Sequence, residues 1–125
     1  MESNMVGWFE IPVTDMIRAK KFYETVFNIA IAVHDLDGLV MGWFPSVPGK
    51  SGAMGSLVQH GMYIPSATKG PLLYFSCKDL SIELNRVEGA GGIILQAKKA
   101  ISEDHGYMAL IKDTEGNRIA LHSQN

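Results

Sequence analysis

The sequence lacks the features that mark several classes of protein. Its 125 residues include one cysteine, Cys77, which excludes an internal disulfide and a cysteine cluster for zinc. The net charge is −2 and no basic block is present, so there is no electrostatic case for binding nucleic acid or an anionic membrane. No apolar run approaches the roughly 20 residues of a membrane helix, and the start of the chain lacks the pattern of a signal peptide. We therefore expect a cytoplasmic protein that contacts neither nucleic acid nor membrane.

The residues that are present predict one domain made of two similar modules. With 46% hydrophobic and 19% charged residues, a chain of this length can bury a substantial core. The pattern strand, helix, strand, strand, strand appears at about residues 1–60 and again at about 71–125, with a linker at 61–70. Asp15 and Asp79 are the expected helix caps, and the interval of 79 − 15 = 64 residues sets the register between the modules.

Two motifs resemble those of the vicinal oxygen chelate superfamily, which includes glyoxalase I, extradiol dioxygenases and bleomycin-resistance proteins. The stretch "IPVTDMIRAKKFYETVFN" resembles the opening motif, and "KDTEGNRIALH" resembles the closing strand. The resemblance spans the whole chain. It implies an α+β fold in which two βαβββ modules form curved mixed sheets around a concave site, with the helices outside. It also implies that homodimers are common, and we expect one here.

The resemblance further implies four metal-ligand positions, one on the first strand and one on the last strand of each module. The residues that match them are Trp8, Ser56, Leu72 and Ala120. Three of these side chains cannot ligate a metal, and a lone serine hydroxyl is a poor donor. Divalent sites need several His or carboxylate ligands. We therefore expect no cofactor, although a divalent metal bound through displaced ligands stays open as an alternative.

Two residues capable of proton transfer lie beside those positions. Glu10 follows Trp8 by two residues, and His122 follows Ala120 by two. A shift of two keeps the same face of a strand and moves along it by roughly 7 Å, so both side chains are predicted to face the concave site. A carboxylate–imidazole pair suits general base catalysis. The alternatives are a weak metal site formed by this pair and a structural role for each residue.

The leading interpretation is a protein that binds a small molecule in a concave cleft, without the usual metal site. Enzyme and binder both stay open. As an enzyme it would be a lyase, an isomerase or dioxygenase-like, and the metal-dependent version would use Glu10 and His122. A drug-sequestering resistance protein is the other alternative. The residues expected to line the cleft beside the catalytic candidates are Trp8, Ser56, His60, Leu72, Tyr74, Tyr107 and Ala120, and His34 is expected in a turn.

Overall fold

A computed structural model describes residues 2–125, which fold into two four-stranded sheets, each with one helix. The first module contains β1 (Trp8–Val13), α1 (Met16–Phe27), β2 (Ala32–Leu36), β3 (Leu39–Trp43) and β4 (Met54–Gln59). The second contains β5 (Leu73–Ser76), α2 (Leu80–Val87), β6 (Ile93–Ser102), β7 (Gly106–Lys112) and β8 (Arg118–Ser123). Neither helix is long and apolar enough to cross a membrane.

The two modules share one topology, which confirms the α+β fold with paired βαβββ units. The strand orders are β1-β4-β3-β2 and β5-β8-β7-β6. In each sheet the first and last strands of the module pair in parallel, and the other pairs are antiparallel. Adding 64 to the bounds of β4 gives those of β8. The offset also matches the starts of the two helices, but α2 has 8 residues where α1 has 12. The hairpins differ most, because β6 and β7 have 10 and 7 residues where β2 and β3 have 5 each.

Both helices begin at the aspartates that the sequence indicated. The Asp15 carboxylate accepts a hydrogen bond from the Arg18 amide at 3.1 Å, and the Asp79 carboxylate accepts one from the Ser81 amide at 3.0 Å. Helix α2 ends at Val87, and Gly91 beyond it has a left-handed backbone with a φ of 98°. The chain makes further turns there, and the Gly92 amide donates to the Val87 carbonyl at 2.9 Å.

One core lies on the helix side of both sheets. Alternate side chains of β1 and β8 point into it, including Ile11, Val13, Ile119 and Leu121. The residues between them point to the opposite side, which we call the helix-free face of each sheet. The register of each strand therefore decides which side chains can meet a ligand on that face.

The turn between β7 and β8 joins the second module to the first through hydrogen bonds to one carboxylate. The Glu115 side chain is fully buried and accepts hydrogen bonds from the backbone amides of Thr14 and Asp15 at 3.0 and 2.9 Å. The Arg18 guanidinium donates to the same carboxylate at 2.8 Å. These donors include the last residues before α1, so one carboxylate fixes the start of that helix against the second module.

Asp113 and Asn117 of the same turn extend this contact. The Tyr23 hydroxyl donates to the Asp113 carboxylate at 2.7 Å, and burial raises the pKa of this tyrosine well above its usual range. The Asn117 amide nitrogen donates to the Pro12 carbonyl at 2.7 Å. Its oxygen accepts from the Ser66 amide at 3.3 Å. The turn therefore holds β1, α1 and the linker together.

We predict that stability depends on the Glu115 charge. Burial alone raises the pKa of this carboxyl, but hydrogen bonds from Arg18 and neighbouring groups outweigh it and lower the pKa to about 2. Because the folded-state pKa is depressed, the stabilisation is complete above pH 4.5 and is lost as the pH falls towards about 2. Glu115→Gln should lower the free energy of unfolding at pH 7 by about 2 kcal/mol, since half-exposed Arg18 is partly screened.

Chemical denaturation at pH 7 and through the acid range measures this effect. Glu103→Gln is the matched control, because Glu103 is exposed in the β6–β7 turn and should change stability little. Equal stability of the Glu115→Gln and wild-type proteins at pH 7 would show that the contact between the modules does not depend on this charge.

Candidate functional site

The helix-free face of the first sheet carries three of the predicted site residues. Trp8 and Glu10 lie on β1, and Ser56 on β4 lies directly beside Glu10 in the parallel register. Trp43 on β3 is the next neighbour of Ser56 in the same row. Since the adjacent Leu57 points into the core, Ser56 points to the helix-free face. We call Trp8, Glu10, Trp43 and Ser56 the tryptophan face.

The two tryptophans form an aromatic surface that is open to solvent. Their ring centroids are 6.3 Å apart in an edge-to-face arrangement, and the side chains are 42% and 43% exposed. The His34 ring lies 4.7 Å from that of Trp43. The prediction that His34 belongs to a turn was wrong, because strand β2 continues through it to Leu36. Exposed rings of this kind suit stacking with a planar ligand.

The Glu10 carboxylate is positioned by neighbouring donors. The Trp8 indole nitrogen donates to it at 3.3 Å. Its acceptor oxygens and its charge raise the pKa of the Tyr63 hydroxyl in the linker. Glu10 itself stays exposed, so its negative charge is available to a ligand on this face.

The Ser56 hydroxyl is buried without a hydrogen-bond partner. Ser56 is 0% exposed, and its Oγ is one of two such side-chain oxygens in residues 2–125, the other being on Glu83. An unsatisfied buried hydroxyl costs about 1–3 kcal/mol. It lies between Glu10 and Trp43 in the strand register, at the position where the resemblance implies a metal ligand. Because this hydroxyl has no accessible surface, a bound molecule could satisfy it only if the side chains that cover it moved.

His60 lies just past the end of β4, beside the tryptophan face. Its ring accepts a hydrogen bond from the Met62 amide at 3.1 Å and lies 6.2 Å from the Tyr63 ring. Both rings line a cavity of about 470 Å³ near the start of the linker. None of the residues of the tryptophan face lines this cavity, so His60 lies outside that face.

The helix-free face of the second sheet carries the remaining predicted residues. Tyr74 on β5 and Leu110 on β7 flank the buried Ala120 on β8, and His122 lies between Ser76 and Met108. Tyr74 is 53% exposed. Leu72 lies one residue before β5 and is half-buried. Met108 and Leu110 were missed by the sequence analysis.

Tyr107 does not line this face, and its assignment to the cleft was wrong. It shares the strand face of Ala109 and packs against the core. The Lys98 ammonium lies 4.8 Å from the centre of its ring on that side. Its neighbour in the register, Ser123, also points to the helix side, where its hydroxyl accepts a hydrogen bond from the Leu80 amide of α2.

Glu10 and His122 lie on different sheets and have different partners. The carboxylate is bonded to Trp8, whereas the His122 Nε2 lies 2.6 Å from the His105 carbonyl oxygen. Among the hydrogen bonds and ion pairs of residues 2–125, none joins Glu10 to His122. Both residues do occupy helix-free faces, as their spacing from Trp8 and Ala120 indicated.

The donor set at the implied metal positions does not fit a divalent ion. An indole, a buried hydroxyl, an isobutyl group and a methyl group occupy them, and Trp8 fills the space of the first ligand with a large ring. Elsewhere in the described chain, no group of three His, Cys, Asp or Glu side chains converges as a metal site would require.

The comparisons with known proteins agree with this fold. The profile of the Glyoxalase/Bleomycin resistance protein/Dioxygenase superfamily matches residues 5–121. TnmS3, an antibiotic binding protein from Streptomyces sp. CB03234, is 20% identical with a TM-score of 0.70, covering 100% of this chain and 99% of its own. A glyoxalase-related enzyme from Fulvimarina pelagi is 15% identical with a TM-score of 0.71, over 96% and 88%.

A third similar structure is a glyoxalase I mutant from Zea mays. It is 16% identical with a TM-score of 0.69, and the match covers 94% of this chain but 45% of the maize chain. No curated protein matches the sequence. At these identities the likeness to the solved structures establishes the fold alone.

We predict that removing the Ser56 hydroxyl stabilises the protein. Ser56→Ala should raise the free energy of unfolding by about 1 kcal/mol, because it removes a buried group without a partner. The matched control is Ser123→Ala. Ser123 is 1% exposed, but its hydroxyl accepts from the Leu80 amide at 3.0 Å, so this variant should lose about 1 kcal/mol. Equal losses in both variants, measured by thermal or urea unfolding, would contradict the assignment.

Proposed function

Because the chain belongs to the glyoxalase/bleomycin resistance protein/dioxygenase superfamily, we propose that it binds a small aromatic molecule on the tryptophan face, without the divalent metal of its metal-dependent relatives. The observation that carries this proposal is the pair of exposed indole rings beside the exposed Glu10 carboxylate. The position on β4 that the resemblance assigns to a metal ligand holds the neutral side chain of Ser56 instead.

The chemistry of the face favours a flat ligand with a positively charged or donor group. The rings of Trp8 and Trp43 offer stacking and edge contacts. The exposed Glu10 carboxylate is held in place by Trp8 and supplies the only formal charge among the residues of the tryptophan face. An aromatic amine satisfies both features, with its ring on the indoles and its ammonium group near Glu10.

Binding by itself accounts for all of these features, because none of them requires a reacting group. TnmS3, which has this fold, is described as an antibiotic binding protein, so the fold supports binding as a complete function. Sequestration of a compound is therefore the form of the proposal that needs fewest further assumptions. Proton transfer by Glu10 and His122 stays a prediction that no contact within the chain supports.

A homodimer is part of the proposal. Several exposed apolar side chains lie on the helix-free faces, and contiguous apolar patches often mark an interface or a ligand site. They include Trp8, Trp43, Met54 and Tyr74. Pairing two chains would shelter these side chains and deepen the cleft around a ligand.

Tryptophan fluorescence tests the proposed ligand class directly, because Trp8 and Trp43 are the only tryptophans and both lie on this face. Titration with 1-naphthylmethylamine should change their emission saturably. Glu10→Gln should weaken binding about tenfold through loss of the charge, whereas the exposed control Glu103→Gln should bind as the wild type does.

Trp43→Phe keeps an aromatic ring and should retain part of the affinity, whereas Trp43→Ala should lose most of it. Trp8 remains in both variants as the reporter. An emission change that does not saturate, or that is the same in Glu10→Gln and wild-type protein, would contradict this site for an aromatic amine.

A further inference from the structure

We propose a second ligand site, selective for an aromatic carboxylate, in a cavity between the two modules. The cavity measures about 650 Å³, within the range of small-molecule sites, and we call it the seam cavity. It lies where β1 and β5, each at the end of its sheet, approach one another. Its lining includes Phe9 and Met54, which are next to Trp8 in the sheet, but none of the four residues of the tryptophan face, so it adjoins that face without sharing its residues.

Four of the five phenylalanines of the chain line this one cavity. The ring of Phe75 lies 5.8 Å from Phe9, 5.0 Å from Phe27 and 5.7 Å from Phe44, measured between centroids. These four rings are only partly buried, whereas Phe22, the fifth, is fully buried. The module interface therefore leaves ring surface uncovered, and an aromatic ligand could cover it with edge-to-face contacts.

The loop between β3 and β4 forms part of the wall of the seam cavity and contributes its charged residue. Lys50 in this loop is exposed and is the only charged residue of the lining. Gly49 and Gly52 have φ values of 77° and 100°, so the backbone turns there in a conformation that favours glycine. Residues 49–52 all belong to the cavity wall.

This combination selects the ligand class. An apolar aromatic wall favours fused rings, and a single lysine at the rim favours an anionic substituent over a cationic one. The hydroxyls of Ser46, Ser51 and Ser76 also lie in the lining and can donate to a carboxylate. The tryptophan face has the opposite preference, because its charged group is Glu10.

The test uses 2-naphthoate and its neutral analogue 2-naphthamide, with binding measured by calorimetry on the intact protein. Lys50→Ala should weaken 2-naphthoate about fivefold, the size expected of one exposed charge contact. It should leave the affinity for 2-naphthamide unchanged. Lys69→Ala is the matched control, because Lys69 is exposed in the linker and lies outside the lining.

A second variant tests the location. Ala53 is half-buried and lines the cavity, so Ala53→Phe should fill it and abolish binding of both naphthalene ligands. Binding of 1-naphthylmethylamine at the tryptophan face should persist in both variants, and this amine should not compete with 2-naphthoate. Three results would each overturn the proposal: no binding of 2-naphthoate at millimolar concentration, equal affinity in Lys50→Ala, or competition between the two probes.

Discussion

The Glu115 carboxylate is the contact on which the arrangement of the two modules depends. It is the acceptor for the backbone before α1 and for the Arg18 guanidinium, yet it belongs to the turn between β7 and β8. Hydrogen bonds from these donors favour the ionised carboxylate, which explains the low pKa of Glu115. Because this turn joins the modules on the helix side, their helix-free faces remain open to ligands.

The residues that identify the superfamily are therefore mostly structural. Asp15 caps a helix, Tyr23 and Asp113 form a buried hydrogen bond, and Asn117 binds the backbone of β1. None of these groups faces the candidate site. The chain can consequently keep the fold of the superfamily without ligand side chains at the implied metal positions. Two of these positions are occupied by Trp8 and Ser56.

Local signals in the sequence predicted most of the fold but only part of the site. The caps and the 64-residue offset placed β1, α1, β4 and their counterparts, because those elements follow local rules. The face of Tyr107 was predicted wrongly because Met108 and Leu110 are also apolar, so β7 shows no clear alternation. The neighbours of Ser56 on adjacent strands, Glu10 and Trp43, are set by the cross-strand register, which no local pattern specifies.

We propose that this chain binds a ligand with two indole rings and a carboxylate on a face where its metal-dependent relatives hold an ion. Elemental analysis of protein purified without chelator or added metal tests it most directly. We expect nickel, zinc, iron and manganese far below one ion per chain, because the four implied ligand positions offer one neutral donor among them. One tightly held ion per chain or per pair of chains would contradict it.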